Sequence, residues 1–125
     1  MEIRLTEREA DVMEVLWQRG PSTVAEVRDG IADDLAYTTV LTILRTLEDK
    51  GYVEHAQEGR AHRYAAMVER DVARRSALQA LTRRFFAGSK ALLLAHLVDD
   101  DKLSEEEIER IRSLLRRHTR SKKGK

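Results

Sequence analysis

The sequence predicts a mostly α-helical chain interrupted by one small β-hairpin. Three observations carry that prediction. Serine or threonine precedes glutamate at capping-box spacing three times, at Thr6/Glu9, Thr23/Glu26 and Ser104/Glu107. Apolar residues recur at helical spacing through most of the chain. The exception is "YVEHAQEGRAHRYAAM" (Tyr52 to Met67), where the period shortens around a glycine.

The elements follow in order. Thr6/Glu9 opens a first helix with Ala10, Met13, Leu16 and Trp17 on one stripe. "RGPST" ends it, with the only proline of the chain beside a glycine. Thr23/Glu26 then starts a short helix carrying Val24, Val27 and Ile31. After "ADDLA" a third helix is predicted from Tyr37 to Lys50, closed by Lys50 and Gly51. Tyr52–Ala56 and Ala61–Ala65 read as two strands, with "QEGR" as the tip. The remainder is helical. One stripe is Val72, Leu78, Leu81 and Phe85, followed by the apolar run "SKALLLAHLV". A last helix carries Ile108, Ile111, Leu114 and Leu115, with Leu103 and Ile108 placed as a hydrophobic staple. Three helices and a hairpin, the second and third helices joined by a short turn, are the winged helix-turn-helix plan. The fold class is therefore a winged helix-turn-helix domain, 1–68, followed by a helical dimerisation domain, 69–118. A basic flexible tail is expected over 119–125.

A chain of 125 residues buries about two-thirds of its unfolded surface and folds without staples. It has no cysteine, which excludes disulfides and thiolate metal sites. No apolar run approaches the roughly 20 residues of a membrane span, and "MEIRLTEREAD" lacks a secretory core. The expectation is a cytoplasmic protein with no membrane insertion. The net charge of +1 divides unevenly. Residues 1–66 hold 8 Lys/Arg against 13 Asp/Glu, or −5; residues 67–125 hold 15 against 9, or +6. Six of the late cations sit in "RRHTRSKKGK", a pattern shared by nucleic-acid-binding tails and solubilising ends.

The third helix, "YTTVLTILRTLEDK", holds the main candidate site. On a helical wheel Val40, Ile43, Leu44 and Leu47 share one side. Thr38, Thr42, Arg45 and Asp49 share the other, with Leu41 on one edge and Thr39 and Thr46 on the other. Threonine is a mediocre helix former, so four in one helix need a reason. Capping by Thr38 or Thr39 is one. Readout in a DNA major groove is the other, since hydroxyls permit close approach, a methyl can meet thymine, and Arg45 can reach guanine or phosphate. Arg60 at the hairpin tip, with His62 and Arg63 behind it, is placed for phosphate or the minor groove. The acidic first half speaks for modest affinity per monomer, hence for a dimer; it also motivates a rival class, a protein-interaction adaptor that reads no DNA.

The four histidines, His55, His62, His96 and His118, are dispersed; His55 and His62 can face each other across the hairpin, but two ligands make no metal site. No phosphate loop or nucleophile–base set occurs, so no catalytic residues, cofactors or metal are expected.

"LTEREADVMEVLW", "YTTVLTILRTLEDKGYV", "EGRAHRYAAMV" and "DDKLSEEEIERIRSLL" together resemble the penicillinase and methicillin-resistance repressor family, whose relatives include copper-responsive regulators. The resemblance runs from about Leu5 to Leu115. It implies a winged-helix repressor acting as a homodimer on a pseudo-palindromic operator of double-stranded DNA, in some members under a membrane sensor protease. It places Tyr37, Thr38, Thr39, Thr42, Arg45 and Thr46 at the recognition helix and Arg60, His62 and Arg63 at the wing. The apolar stripes Leu78/Leu81/Phe85, Leu92/Leu93/Leu97 and Ile108/Ile111/Leu115 are expected at a two-fold interface. Three positions depart from the family pattern. Thr46 stands where arginine is frequent, His96-Leu97 stands where the sensor-cleaved members have Asn-Phe, and the cysteine motif of the copper-responsive relatives is missing.

Overall fold

The protein is described by a computed structural model covering residues 2–100 and 102–123, with the side chains of Asp100 and residues 121–123 left undescribed. Six helices and three strands follow in order: α1 (Glu7–Arg19), β1 (Ser22–Thr23), α2 (Val24–Gly30), α3 (Tyr37–Asp49), β2 (Val53–Glu58), β3 (Ala61–Ala66), α4 (Arg70–Phe85), α5 (Lys90–Asp100) and α6 (Glu105–Lys123). The chain forms two compact units, Met1–Ala80 and Leu81–Lys125.

In the first unit both expected capping boxes are complete. Thr6 Oγ1 accepts the Glu9 amide and Glu9 Oε1 accepts the Thr6 amide, and the same exchange joins Thr23 and Glu26. Each box satisfies two amides that the first helical turn leaves free. Helices α1, α2 and α3 bury one stripe each. Val12, Met13, Leu16, Val27, Val40, Leu44 and Leu47 are at most 2 % exposed, and Tyr52, Val53 and Tyr64 close the core from the sheet. Gly30 permits the close approach of α2 to α1: a Cβ there would stand 2.9 Å from Val15 Cγ1.

The sheet is antiparallel in the order β1-β3-β2. β1 is a strand the sequence did not announce. Its two residues pair with Tyr64 and Arg63, and no alternation can be read from so short a run. The hairpin is longer than expected. Gln57 and Glu58 belong to β2, Glu58 pairs with Ala61, and only Gly59 and Arg60 form the turn. Gly59 takes φ +62 while Arg60 does not enter the positive-φ region, as in a II′-type hairpin turn.

The start of α4 belongs to the first compact unit. Ala73 and Ser76 are buried, Ser76 Oγ accepts the Ile3 amide at 2.6 Å, and Arg70 pairs with Glu14 at 2.8 Å. In the second unit, Ser104 Oγ accepts the Glu107 amide at 3.1 Å and starts α6. The carboxylate of Glu107 turns to the Ser104 hydroxyl instead of its amide, so this third box is half formed. α6 continues through Lys123, and residues 124 and 125 of the expected tail lie outside the described residues. No helix among the described residues is long and apolar enough to cross a membrane.

Candidate nucleic-acid interface

The exposed side of α3 is the side the wheel assigns to polar residues. Tyr37, Thr38, Thr39, Thr42, Arg45 and Thr46 are exposed, and Leu41 is half-buried at the edge. Val40, Leu44 and Leu47, one step round the helix, are fully buried. The core therefore fixes the rotation of α3 and so the residues it shows to solvent.

The threonines are not caps. The N-cap of α3 is Ala36, which has no side-chain bond to offer. Thr42 Oγ1 instead donates to the Thr38 carbonyl at 2.9 Å, and Thr46 Oγ1 to the Thr42 carbonyl at 3.0 Å. Such back-bonding adds little to the helix. It commits the hydroxyl hydrogens of Thr42 and Thr46 to the helix backbone and leaves their oxygens free to accept. These two positions consequently present acceptors and apolar contact. Arg45, on the same face, supplies the donors. Among the described residues Arg45 has no carboxylate partner.

The wing stands beside this helix, and its residues divide into free and engaged. Arg60, at the tip, has no ion-pair partner among the described residues. Arg63 is engaged from several directions: its guanidinium donates to Glu58 and, at 3.0 Å, to the Pro21 carbonyl, and it lies 3.3 Å from Glu26. The Thr23 amide and hydroxyl, with Arg63 further out, lower the pKa of Glu26; the Glu58 bond foremost keeps Arg63 firmly charged. His62 stacks on His55, ring centres 4.7 Å apart and planes 18° off parallel. Their strand positions are diagonal, because His55 pairs with Tyr64 and His62 with Gln57.

Glu48 is a residue that sequence reasoning passed over. Its oxygens lie 2.6 and 2.8 Å from His55 Nδ1, and one accepts the His55 amide at 3.2 Å. A carboxylate only accepts, so the contact requires the ring hydrogen on Nδ1. Burial first, and the Glu48 charge second, raise the pKa of the buried Tyr64 phenol. The signal was present in outline: an acidic residue in the last turn of α3, shortly before a histidine in a strand.

In the second unit, Leu81, Phe85, Leu92, Leu97, Ile108 and Leu115 remain exposed in the single chain, as does Leu78 at the end of the first, while Leu93 and Ile111 are half-buried. Phe86 packs edge-on against His96 at 5.3 Å. The His96-Leu97 bond lies within helix α5, so a protease could reach it in extended form only after that helix unwinds locally.

Three helices, a paired hairpin and a polar third-helix face define a winged-helix transcriptional regulator. Comparison with known proteins agrees. The sequence pattern of the family described as "Penicillinase repressor" matches residues 5–117. A transcriptional regulator BlaI of Mycobacterium tuberculosis is 39 % identical over 100 residues, 77 % of this chain and 72 % of that one. A penicillinase repressor of Bacillus licheniformis is 25 % identical over 96 % of this chain and 95 % of its own. The methicillin resistance regulatory protein MecI of Staphylococcus aureus is 21 % identical over 89 % and 92 %. A MarR family protein from Bacillus stearothermophilus shares the fold at TM-score 0.53 and 19 % identity, over 97 % of this chain and 77 % of that one. The chain belongs to the penicillinase repressor family.

Proposed function

We propose that this repressor acts as a cytoplasmic homodimer on a pseudo-palindromic operator, with no catalytic activity. One α3 helix would enter the major groove in each half-site. The observation that carries the reading is the division of α3: three fully buried aliphatics on one side, and on the other six exposed residues, of which Arg45 has no carboxylate partner among the described residues. Thr38 and Thr39 approach base edges and phosphates, Thr42 and Thr46 approach base edges, Tyr37 lies at the entry of the helix, and Arg45 reads guanine or holds phosphate. Arg60 holds phosphate at the wing tip, with His62 below it.

The support for the dimer lies mainly in the second unit. Two recognition helices must lie about 34 Å apart to enter successive grooves. The stripes Leu78/Leu81/Phe85, Leu92/Leu93/Leu97 and Ile108/Ile111/Leu115, exposed but for the half-buried Leu93 and Ile111, are the apolar surface a two-fold partner would cover. Kinship with proteins named penicillinase repressor and methicillin resistance regulatory protein supports an input from β-lactam or envelope stress; a membrane sensor protease as its relay is carried over from the family resemblance alone. His96-Leu97 is the bond such a protease would meet.

The test begins with a duplex recovered by this protein from a random-sequence pool. Arg45→Ala should cost roughly 1–3 kcal/mol on that duplex and relax the preference at one base pair of each half-site. Arg60→Ala should weaken selected and random duplexes alike and flatten the salt slope by about one phosphate. If no sequence is enriched, or if binding does not fall with salt, the interaction-adaptor reading takes its place.

A further inference from the structure

The hairpin presents Arg60 far from its root. A six-residue strand spans about 20 Å, so a tilt of about 10° at the root moves the tip by roughly 3 Å, as much as a hydrogen bond is long. Two strands with a two-residue third partner do not resist such a tilt by themselves.

Side chains on opposite faces of the hairpin supply the resistance. Alternation along β3 turns Tyr64 and His62 toward one face and Arg63 toward the other. On the first face, Glu48 of the recognition helix holds both the ring and the amide of His55, and His62 stacks on that ring. On the second face, Arg63 ties the hairpin to the Pro21 carbonyl and to Glu26 at the start of α2, and it braces its own neighbour strand through Glu58. Taken with the reading of α3 and the wing as a DNA-binding surface, on which it rests, we infer that Glu48 and Arg63 are positioning residues, a two-sided clamp that sets the wing against the helix-turn-helix unit. Arg63 therefore serves DNA binding from within the protein, and Arg60 is the wing cation that meets phosphate.

Both contacts are partly exposed, with 30–37 % of the His55 and Glu48 side chains and 34 % of Arg63 open to solvent. Pairs of this kind contribute little to global stability. Their removal should leave the fold intact and loosen only the hairpin, which makes the clamp testable.

The experiment uses the full chain. Glu48→Ala and Arg63→Ala should each speed amide exchange across Glu54–Ala65 by about tenfold, with α1 and α3 unchanged and the thermal midpoint within about 3 °C. On the selected duplex each should weaken binding by about fivefold. In either background Arg60→Ala should cost much less than it does alone, because a misplaced tip has little left to lose. Arg63→Lys, which cannot fork between several acceptors, should restore only part of the protection. Unchanged hairpin exchange in both variants would overturn the clamp. So would losses that simply add to that of Arg60→Ala, the pattern of an Arg63 that touches phosphate directly. If Arg60→Ala alone costs nothing, the wing reading falls, and the exchange data still decide whether the clamp exists.

Discussion

Residues up to Ala80 and residues from Leu81 onward put their apolar side chains to opposite use. The first unit closes a core of fourteen apolar residues, seven of them at 0 or 1 % exposure from helices α1 to α3 and strand β3 alone. In the second, Thr82 is the only buried residue among those described, while Phe85 is 74 % exposed and Leu97 and Leu115 about half exposed. The hydrophobic effect rewards burial wherever the covering surface comes from. Leucines that stay open in one chain are the surface the proposed dimer would cover, and this contrast underlies that proposal. It also separates two kinds of mutation: those that unfold the first unit by itself, and those that act only through association.

The largest effect should come from Leu44→Ala. Leu44 is fully buried among Val40, Leu47 and the α1 stripe, and a cavity there costs about 2–5 kcal/mol. Trp17 is the only tryptophan, and its indole N–H donates to the Val68 carbonyl at 2.7 Å, so its fluorescence follows the first unit specifically. Denaturant titration by that signal should show the loss at every protein concentration. A cost that vanished at high concentration would place Leu44 in the association-dependent class and erase the contrast.

Next in size is the double change Leu97→Asp with Leu115→Asp. Charged carboxylates on an apolar interface should convert a two-chain species to a single chain in sedimentation equilibrium. The selected palindromic duplex should then bind about 100-fold more weakly, the scale of lost bivalency. The tryptophan-detected transition of the first unit should remain. Retention of the two-chain mass would show that these leucines are covered in some other way.

Glu9 sharpens the comparison from the other side, because it is a polar group inside the closed unit. It is 4 % exposed, caps α1 through Thr6 and meets Lys50 Nζ at 2.8 Å. Burial pushes its pKa up, but the bond from Lys50 and the Thr6 amide outweigh burial, and the carboxyl lies below its ordinary 4.5. A group titrating lower in the fold than in the unfolded chain contributes fully above the ordinary value and loses its contribution as pH falls through the folded one. Glu9→Ala should therefore cost about 1–3 kcal/mol at pH 7 and progressively less below pH 4.5. A cost independent of pH would assign Glu9 to packing alone.

How much of this was legible in the sequence depended on range. Thr6/Glu9 and Thr23/Glu26 were legible because a capping box is complete within four residues. The rotation of α3 was legible because Val40, Leu44 and Leu47 repeat at the helical period. β1 was not: Ser22 and Thr23 become a strand only because Tyr64 and Arg63 lie beside them, a partnership across some forty residues. The same holds for Arg63. Read along the chain it is one more cation near a hairpin tip, and only the fold shows that Glu26 and Pro21 have claimed it. Glu48 was missed for the same reason, since its partner belongs to the following element.

The smallest effect is expected at Thr42, where it decides what the helix face offers. The Thr42 hydroxyl hydrogen is spent on the Thr38 carbonyl, and that bond contributes little to the helix. Valine keeps the branched shape and a methyl while removing the oxygen. Thr42→Val should thus leave stability within about 0.5 kcal/mol, as substitutions away from packed or capping sites do. If the methyl packs against a thymine, Thr42→Val should bind the selected duplex nearly as well as the parent, and Thr42→Ala should bind less well. If the two variants lose affinity equally, the oxygen is the group being read. It would then accept from an exocyclic amine of adenine or cytosine, the one polar role left to a hydroxyl whose hydrogen is already committed.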